Sequence, residues 1–168
     1  MHTKVVFRAA KAALQLQVPA LRFNFRGVGK SEGDFDHGAG ERDDVRAALD
    51  YLEALVPGTP VCLMGFSFGS WVGLAVGAAD PRVSALIGLG LPVASMSFDF
   101  LCPVAKPKLI IQGTQDAYGP RSKVQELFDQ LDEPKRLHWI EGADHFFTER
   151  LEEVQIGIRG WLKEVLDD

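Results

Sequence analysis

Three residues in this chain combine the side-chain types and the local settings that acyl chemistry needs: Ser67, Asp116 and His145. A serine hydroxyl is a weak nucleophile near neutral pH and attacks a carbonyl only as a base removes its proton. Histidine is the side chain whose titration suits that task, and a carboxylate can hold the imidazole in the required tautomer. Ser67 stands in Gly65-Phe66-Ser67-Phe68-Gly69. A Gly-x-Ser-x-Gly pentapeptide is informative when a strand precedes it and a helix follows. Val61-Cys62-Leu63-Met64 is continuously apolar, as a parallel strand buried on both faces should be, and Gly69 to Ala79 is rich in Gly and Ala, which lets a helix pack closely. The turn is expected to strain the backbone of Ser67, with Gly65 and Gly69 leaving room for it. The N–H of Phe68 then points to where an oxyanion would form.

Each of these residues also has a plainer reading. The serine could be a turn residue, Asp116 and Asp144 could be turn formers, and His145 could be a surface or core residue. The combination favours the chemical reading. Lys108-Leu109-Ile110-Ile111-Gln112-Gly113 reads as a buried strand whose exit loop carries Asp116. Arg136 to Ile140 reads as another, followed by Glu141-Gly142-Ala143-Asp144-His145-Phe146-Phe147. In a doubly wound sheet, loops leaving the carboxyl ends of strands converge on one rim. All three residues fall at such exits. Asp144 adjoins His145, but a residue placed there does not face the inner ring nitrogen, so Asp116 is assigned as the acid.

The remaining elements alternate. Residues 3–16 read as a helix with Val5, Val6, Ala9, Ala13 and Leu16 toward the core. Ala20 to Phe25 reads as a strand, and Arg26 to Gly40 as a glycine-bearing loop. Glu41 to Leu55 is amphipathic, with Val45, Ala48, Leu49, Leu52 and Leu55 at helical spacing. Val83 to Leu89 is a strand, Pro120 opens a helix, and a last helix covers roughly residues 148–166. Strands alternating with helices predict a three-layer α/β fold with a mainly parallel sheet, as one domain over residues 1–168. Between Gly90 and Pro107 there is room only for a loop, so no cap domain is expected. Leu91, Pro92, Val93, Met96, Phe98 and Phe100 could line an open apolar pocket near Ser67 or cover the sheet edge. Phe66, Leu91, Met96 and Phe146 are the pocket candidates.

A net charge of −5 argues against nucleic acid or an anionic membrane surface as the main partner. No apolar run is long enough to span a bilayer, and Met1-His2-Thr3-Lys4 leads into no signal-peptide core. Two cysteines, Cys62 and Cys102, read as reduced thiols and place the protein in the cytoplasm. No cofactor and no metal are expected. An exposed sheet edge hints at a homodimer.

The chain resembles bacterial α/β-hydrolase-fold proteins of the dienelactone-hydrolase-like kind. The resemblance covers essentially all of it and rests on Arg22-Phe23-Asn24-Phe25-Arg26-Gly27-Val28-Gly29-Lys30-Ser31-Glu32-Gly33, on Gly65 to Gly69, on Gly113-Thr114-Gln115-Asp116 and on Gly142 to Phe147. It implies Ser67 as nucleophile, His145 as general base and then acid, and Asp116 as the group that orients His145; the order Ser, Asp, His along the chain agrees. The resemblance specifies reaction type far better than substrate; the chemistry of such a triad suits a small ester, thioester or related acyl compound. Such proteins usually begin with further strands and a His-Pro-His-Pro loop that supplies a second oxyanion donor. Here the chain reaches Met1 at or just before the first helix, which leaves three readings. The sequence is a fragment or mis-started, which is preferred; or the strands at 20–25 and 60–64 pair directly; or another chain fills the slot between them.

Two other readings compete with this one. Gly27-Val28-Gly29-Lys30-Ser31 ends like a phosphate-binding P-loop, but the full pattern requires glycine where Asn24 stands. The surrounding loop, with Asp34, Asp36 and His37, reads as solvated rather than metal-binding, with Arg26 tying it down. The other rival is a hydrolase fold impaired by the missing oxyanion donor, a loss worth about a hundredfold to a thousandfold in turnover.

Overall fold

Long apolar runs with β-branched residues set the centre of the molecule. In the computed structural model, which describes residues 3–167, β1 (Val61–Phe66), β2 (Val83–Leu89), β3 (Lys108–Gly113) and β4 (Lys135–Ile140) form a four-stranded parallel sheet in the order β1-β2-β3-β4. The N-terminal pair Met1 and His2 lies outside the described residues. The helices are α1 (Lys4–Leu14), α2 (Ala39–Leu55), α3 (Phe68–Ala79), α4 (Arg121–Gln130) and α5 (Leu151–Asp167).

Successive strand residues point to opposite faces, and both faces are covered. Ala85, Ile87, Leu89, Leu109 and Ile111 pack with Val5, Ala9 and Ala13 of α1 and with Val154, Ile158 and Trp161 of α5. Leu86 and Ile110 pack on the other side with Val45 and Leu49 of α2, Val72 and Leu74 of α3, and Val124 of α4. Three layers result, with no cap domain. The connection from β2 to β3 is a loop with a single 3-10 turn, Asp99–Leu101. No helix among the described residues is long and apolar enough to cross a membrane.

The expected strand at Ala20 to Phe25 does not form. The segment runs without strand pairing, and among the described residues β1 is an edge of the sheet. A strand is defined by its partner, and here none lies within reach: direct pairing of residues 20–25 with β1 does not occur. Between them lies a cavity of about 360 Å³, lined on one side by Leu21, Phe23 and Phe25 and on the other by Leu63, Met64 and Phe66. Val6 of α1 and Ala48 and Leu52 of α2, assigned to the core from their spacing, line this cavity instead. Leu55 is 59% exposed.

The 26–38 loop does not form a P-loop. No strand precedes it, and no helix follows Ser31 until Ala39. Its polar groups are spent on holding itself to α2. The Arg26 guanidinium donates to Asp44, whose carboxylate also accepts the Arg26 N–H at 2.9 Å. Asp36 accepts the Gly40 N–H, while Glu41 accepts the N–H groups of Asp36 and Gly38 and so closes the helix entrance.

Candidate functional site

Ser67 is the single residue between β1 and α3, at φ 52° and ψ −126°. Positive φ in a residue with a side chain is costly and persists only where the surroundings impose it. Here the Ser67 N–H donates to the Leu89 carbonyl at the end of β2, and the Ser67 carbonyl accepts the Ser70 hydroxyl and N–H. Both expected glycines were assigned to this turn, yet they differ. A Cβ at Gly65 would run into the Gly69 carbonyl and Ser70 Cα, whereas one at Gly69 would make only ordinary contact with the Phe25 ring. Only Gly65 is compelled by space. Phe68, as the first residue of α3, carries an N–H that the helix cannot satisfy.

The three exit loops meet. His145 Nε2 lies 2.9 Å from Ser67 Oγ, and His145 Nδ1 lies 2.8 Å from Asp116 Oδ2. These residues are 78 and 29 positions apart along the chain. Hydrogen bonds between the loops set the spacing. Gln115 N–H donates to the Ala143 carbonyl, and Gly142 N–H donates to Thr114 Oγ1. Phe147, fully buried in the α1–α5 core, anchors the far side of the histidine loop.

Asp116 and His145 are 3% and 7% exposed, so the line of contacts is shielded from water except near the hydroxyl. Asp116 Oδ1 accepts the N–H groups of Tyr118 and Gly119, and Oδ2 accepts Gln112 Nε2 as well as facing the imidazole. Asp144 does something else. Its carboxylate accepts the Thr148 N–H and hydroxyl and the Phe146 N–H, and those bonds, the Thr148 N–H first, hold it below the usual carboxylate range. The geometry thus separates the two neighbouring acids: one faces the ring and one caps the turn that carries it.

Phe66 and Phe146 lie beside the imidazole, each with its ring centroid 5.2 Å away. Leu91 corrects the expectation made for it: with 0% exposure it packs into the core beneath Gly88 and cannot line an open pocket. Phe98 is buried likewise, and Met96 is half-buried against the same core. The β2–β3 loop therefore turns its apolar side chains into the core on the α3 and α4 side of the sheet. Two neighbours escaped the sequence reading. Tyr118 places its ring centroid 4.6 Å from that of His145, and Gln112 reaches Asp116 from inside β3. A polar residue in a strand otherwise apolar after its first lysine was the available signal for Gln112. The 360 Å³ cavity is lined by Gly65, Phe66, Phe68 and Gly69, but by none of Ser67, Asp116 and His145. Its walls are mostly apolar, with Thr3, Arg22 and Asn24 as the polar side chains among them.

Burial pushes the Cys62 thiol up to about 12, which leaves it protonated and unreactive. Cys102 is also a free thiol.

The family model for the α/β-hydrolase domain matches residues 1–156. An uncharacterised protein of Rickettsia prowazekii is 36% identical over 171 residues, which span 96% of this chain and 72% of that protein. Solved structures are similar too. An α/β serine hydrolase homologue from Coxiella burnetii is 40% identical with a TM-score of 0.89, over 96% of this chain and 77% of that one. A protein of unknown function from Agrobacterium tumefaciens is 30% identical with a TM-score of 0.94, over 99% and 79%. An α/β serine hydrolase without a lid from Xanthomonas campestris is 35% identical with a TM-score of 0.89, over 98% and 74%.

Proposed function

The chain belongs to the α/β-hydrolase domain family, and from that premise we propose that it is a serine hydrolase cleaving a small ester, thioester or lactone through an acyl-Ser67 intermediate. The observation that carries the reading is the unbroken line Ser67 Oγ, His145, Asp116, with contacts of 2.9 and 2.8 Å. His145 takes the hydroxyl proton as Oγ attacks the carbonyl, and the Phe68 N–H donates to the oxyanion that forms. The protonated imidazole then gives its proton to the leaving alcohol, thiol or ring oxygen, and the carbonyl reforms as acyl-Ser67. Water attacks that ester with His145 again as base, which releases the acid and restores the hydroxyl. Asp116 keeps Nδ1 protonated and stabilises the imidazolium without taking the proton itself.

Phe66, Tyr118 and Phe146 frame the space over the imidazole, and the last two are 56% and 58% exposed. They suit the apolar part of a small substrate. The lack of a cap leaves the acyl-enzyme open to water, which favours hydrolysis over transfer to another acceptor. Two unpaired cysteines, one of them with a suppressed thiolate, fit a protein working in the reducing cytoplasm.

A fluorophosphonate probe tests the reading directly. Folded wild-type protein should be labelled and should hydrolyse p-nitrophenyl acetate. Ser67→Ala should lose labelling and at least about a thousandfold in turnover while keeping the wild-type circular dichroism. Labelling or turnover that survives in Ser67→Ala overturns the proposal.

A further inference from the structure

Gln112 is 0% exposed next to the carboxyl end of the buried strand β3, among residues that are otherwise apolar apart from the lysine at its start. A buried primary amide must place two donors and an acceptor, or it costs stability. Its oxygen accepts the Leu91 N–H at 2.7 Å, just after β2. That donor fixes which way the amide faces, since only oxygen can receive an N–H. Nε2 is thereby aimed at Asp116 Oδ2, 2.7 Å away, with a longer contact of 3.4 Å to the Gly119 carbonyl. The space for this is specific: a Cβ at Gly119 would run into Nε2 itself.

Oδ2 of Asp116 therefore receives two donors, the Gln112 amide and the imidazole of His145. From this we infer that Gln112 is a positioning residue of the serine hydrolase proposed above, on which this inference rests. It acts on the reaction through Asp116 in two ways. It blocks rotation of the carboxylate by holding the oxygen that faces the ring, while the Tyr118 and Gly119 N–H groups hold the other. It also takes up part of the negative charge on Oδ2, so the imidazolium is stabilised less than a carboxylate without this bond would stabilise it. The amide ties that balance to the β2 exit through Leu91, beside the strand end whose Leu89 carbonyl holds the Ser67 N–H.

The titratable groups facing this amide are Asp116 directly and His145 through it. Two variants of the full chain test the role by ester hydrolysis across pH. Gln112→Met removes the donor at similar volume. Turnover should fall about tenfold to a hundredfold with KM little changed, the loss expected for one charge-assisted hydrogen bond. The pH at which activity is half-maximal should move upward, because the undiluted carboxylate holds the imidazolium more strongly. Gln112→Glu keeps the shape and carries the test if the methionine variant does not fold. Protonated, the new carboxyl can donate to Oδ2 as the amide does; ionised, it sets a second negative charge against Asp116. Its activity should therefore rise as His145 loses its proton and fall again as the new carboxyl ionises, a bell-shaped profile where wild type levels off. A Gln112→Glu profile that follows wild type overturns the inference, as does a folded Gln112→Met with turnover within twofold and no pH displacement. Either result with Ser67 labelling intact leaves the serine-hydrolase reading standing, whereas wild-type protein that is not labelled removes both.

Discussion

The two sides of the sheet are built to different standards. At β3 every residue is buried, its backbone is paired with β2 and β4, and even its amide side chain is fully bonded. At β1 only Gly65 is buried, one edge has no strand beside it among the described residues, and a cavity of about 360 Å³ separates it from residues 20–25. Yet both strands deliver a site residue at the same rim. The contrast shows that positioning does not require uniform packing. Ser67 is held by its own strained turn and by the Leu89 carbonyl of β2, so its placement depends on the well-packed neighbour more than on the open edge.

Three measurements sharpen that contrast. The largest effect is expected at the packed rim. Asp116→Asn should reduce turnover about ten-thousandfold, by offering an N–H where an acceptor is required. Turnover near wild type would mean that the contacts at the β3 exit do not govern the chemistry.

The next pair compares stabilities across the sheet by urea denaturation. Ile111→Ala, at a site with 0% exposure, should cost about 2–5 kcal/mol through lost burial and the cavity left behind. Met64→Ala, whose partly buried side chain borders the cavity, should cost roughly 1 kcal/mol, since apolar surface that is incompletely buried contributes less. Equal costs would erase the distinction between the two sides.

The smallest effect concerns the histidine turn. The Asp144 carboxyl is held below its ordinary value by hydrogen bonds that prefer the ionised form. A lowered folded value means that its contribution is complete above the unfolded value, about 3.9, and is lost as pH falls through the lower folded one. The thermal midpoint should fall over that acid range, and Asp144→Asn should lessen the fall. An unchanged acid slope in the variant would show that the turn does not depend on this carboxylate.

Much of the fold was legible because burial writes itself into sequence. Apolar runs marked β1, β2 and β3, Arg136 to Ile140 was read as the fourth strand, and helical spacing expected at 3–16, 41–55 and 148–166 marked the helices found at Lys4–Leu14, Ala39–Leu55 and Leu151–Asp167. Ala20 to Phe25 was misread because alternation of side chains records a preference for extended backbone, whereas a strand also needs a partner in reach. The same gap explains Val6 and Leu52, whose apolar character faces the cavity rather than the core. In the site, motif context brought Ser67, Asp116 and His145 forward. Leu91 was misplaced because loop hydrophobics can turn inward or outward at equal local cost. Tyr118 and Gln112 were missed because their relevance lies in contacts made across loops.

What the sequence determined by itself is local: which segments are apolar enough to be strands, where glycine permits a sharp turn, and which side chains can exchange protons near neutral pH. Only the tertiary structure decided that Gln112 shares Asp116 with the imidazole, that Leu91 turns into the core, and that β1 has no strand beside one edge among the described residues. The reason is physical. Propensity and patterning act over a few neighbouring residues, whereas a 2.8 Å contact between positions 29 residues apart depends on how separate strands stack and how their exit loops bond to one another.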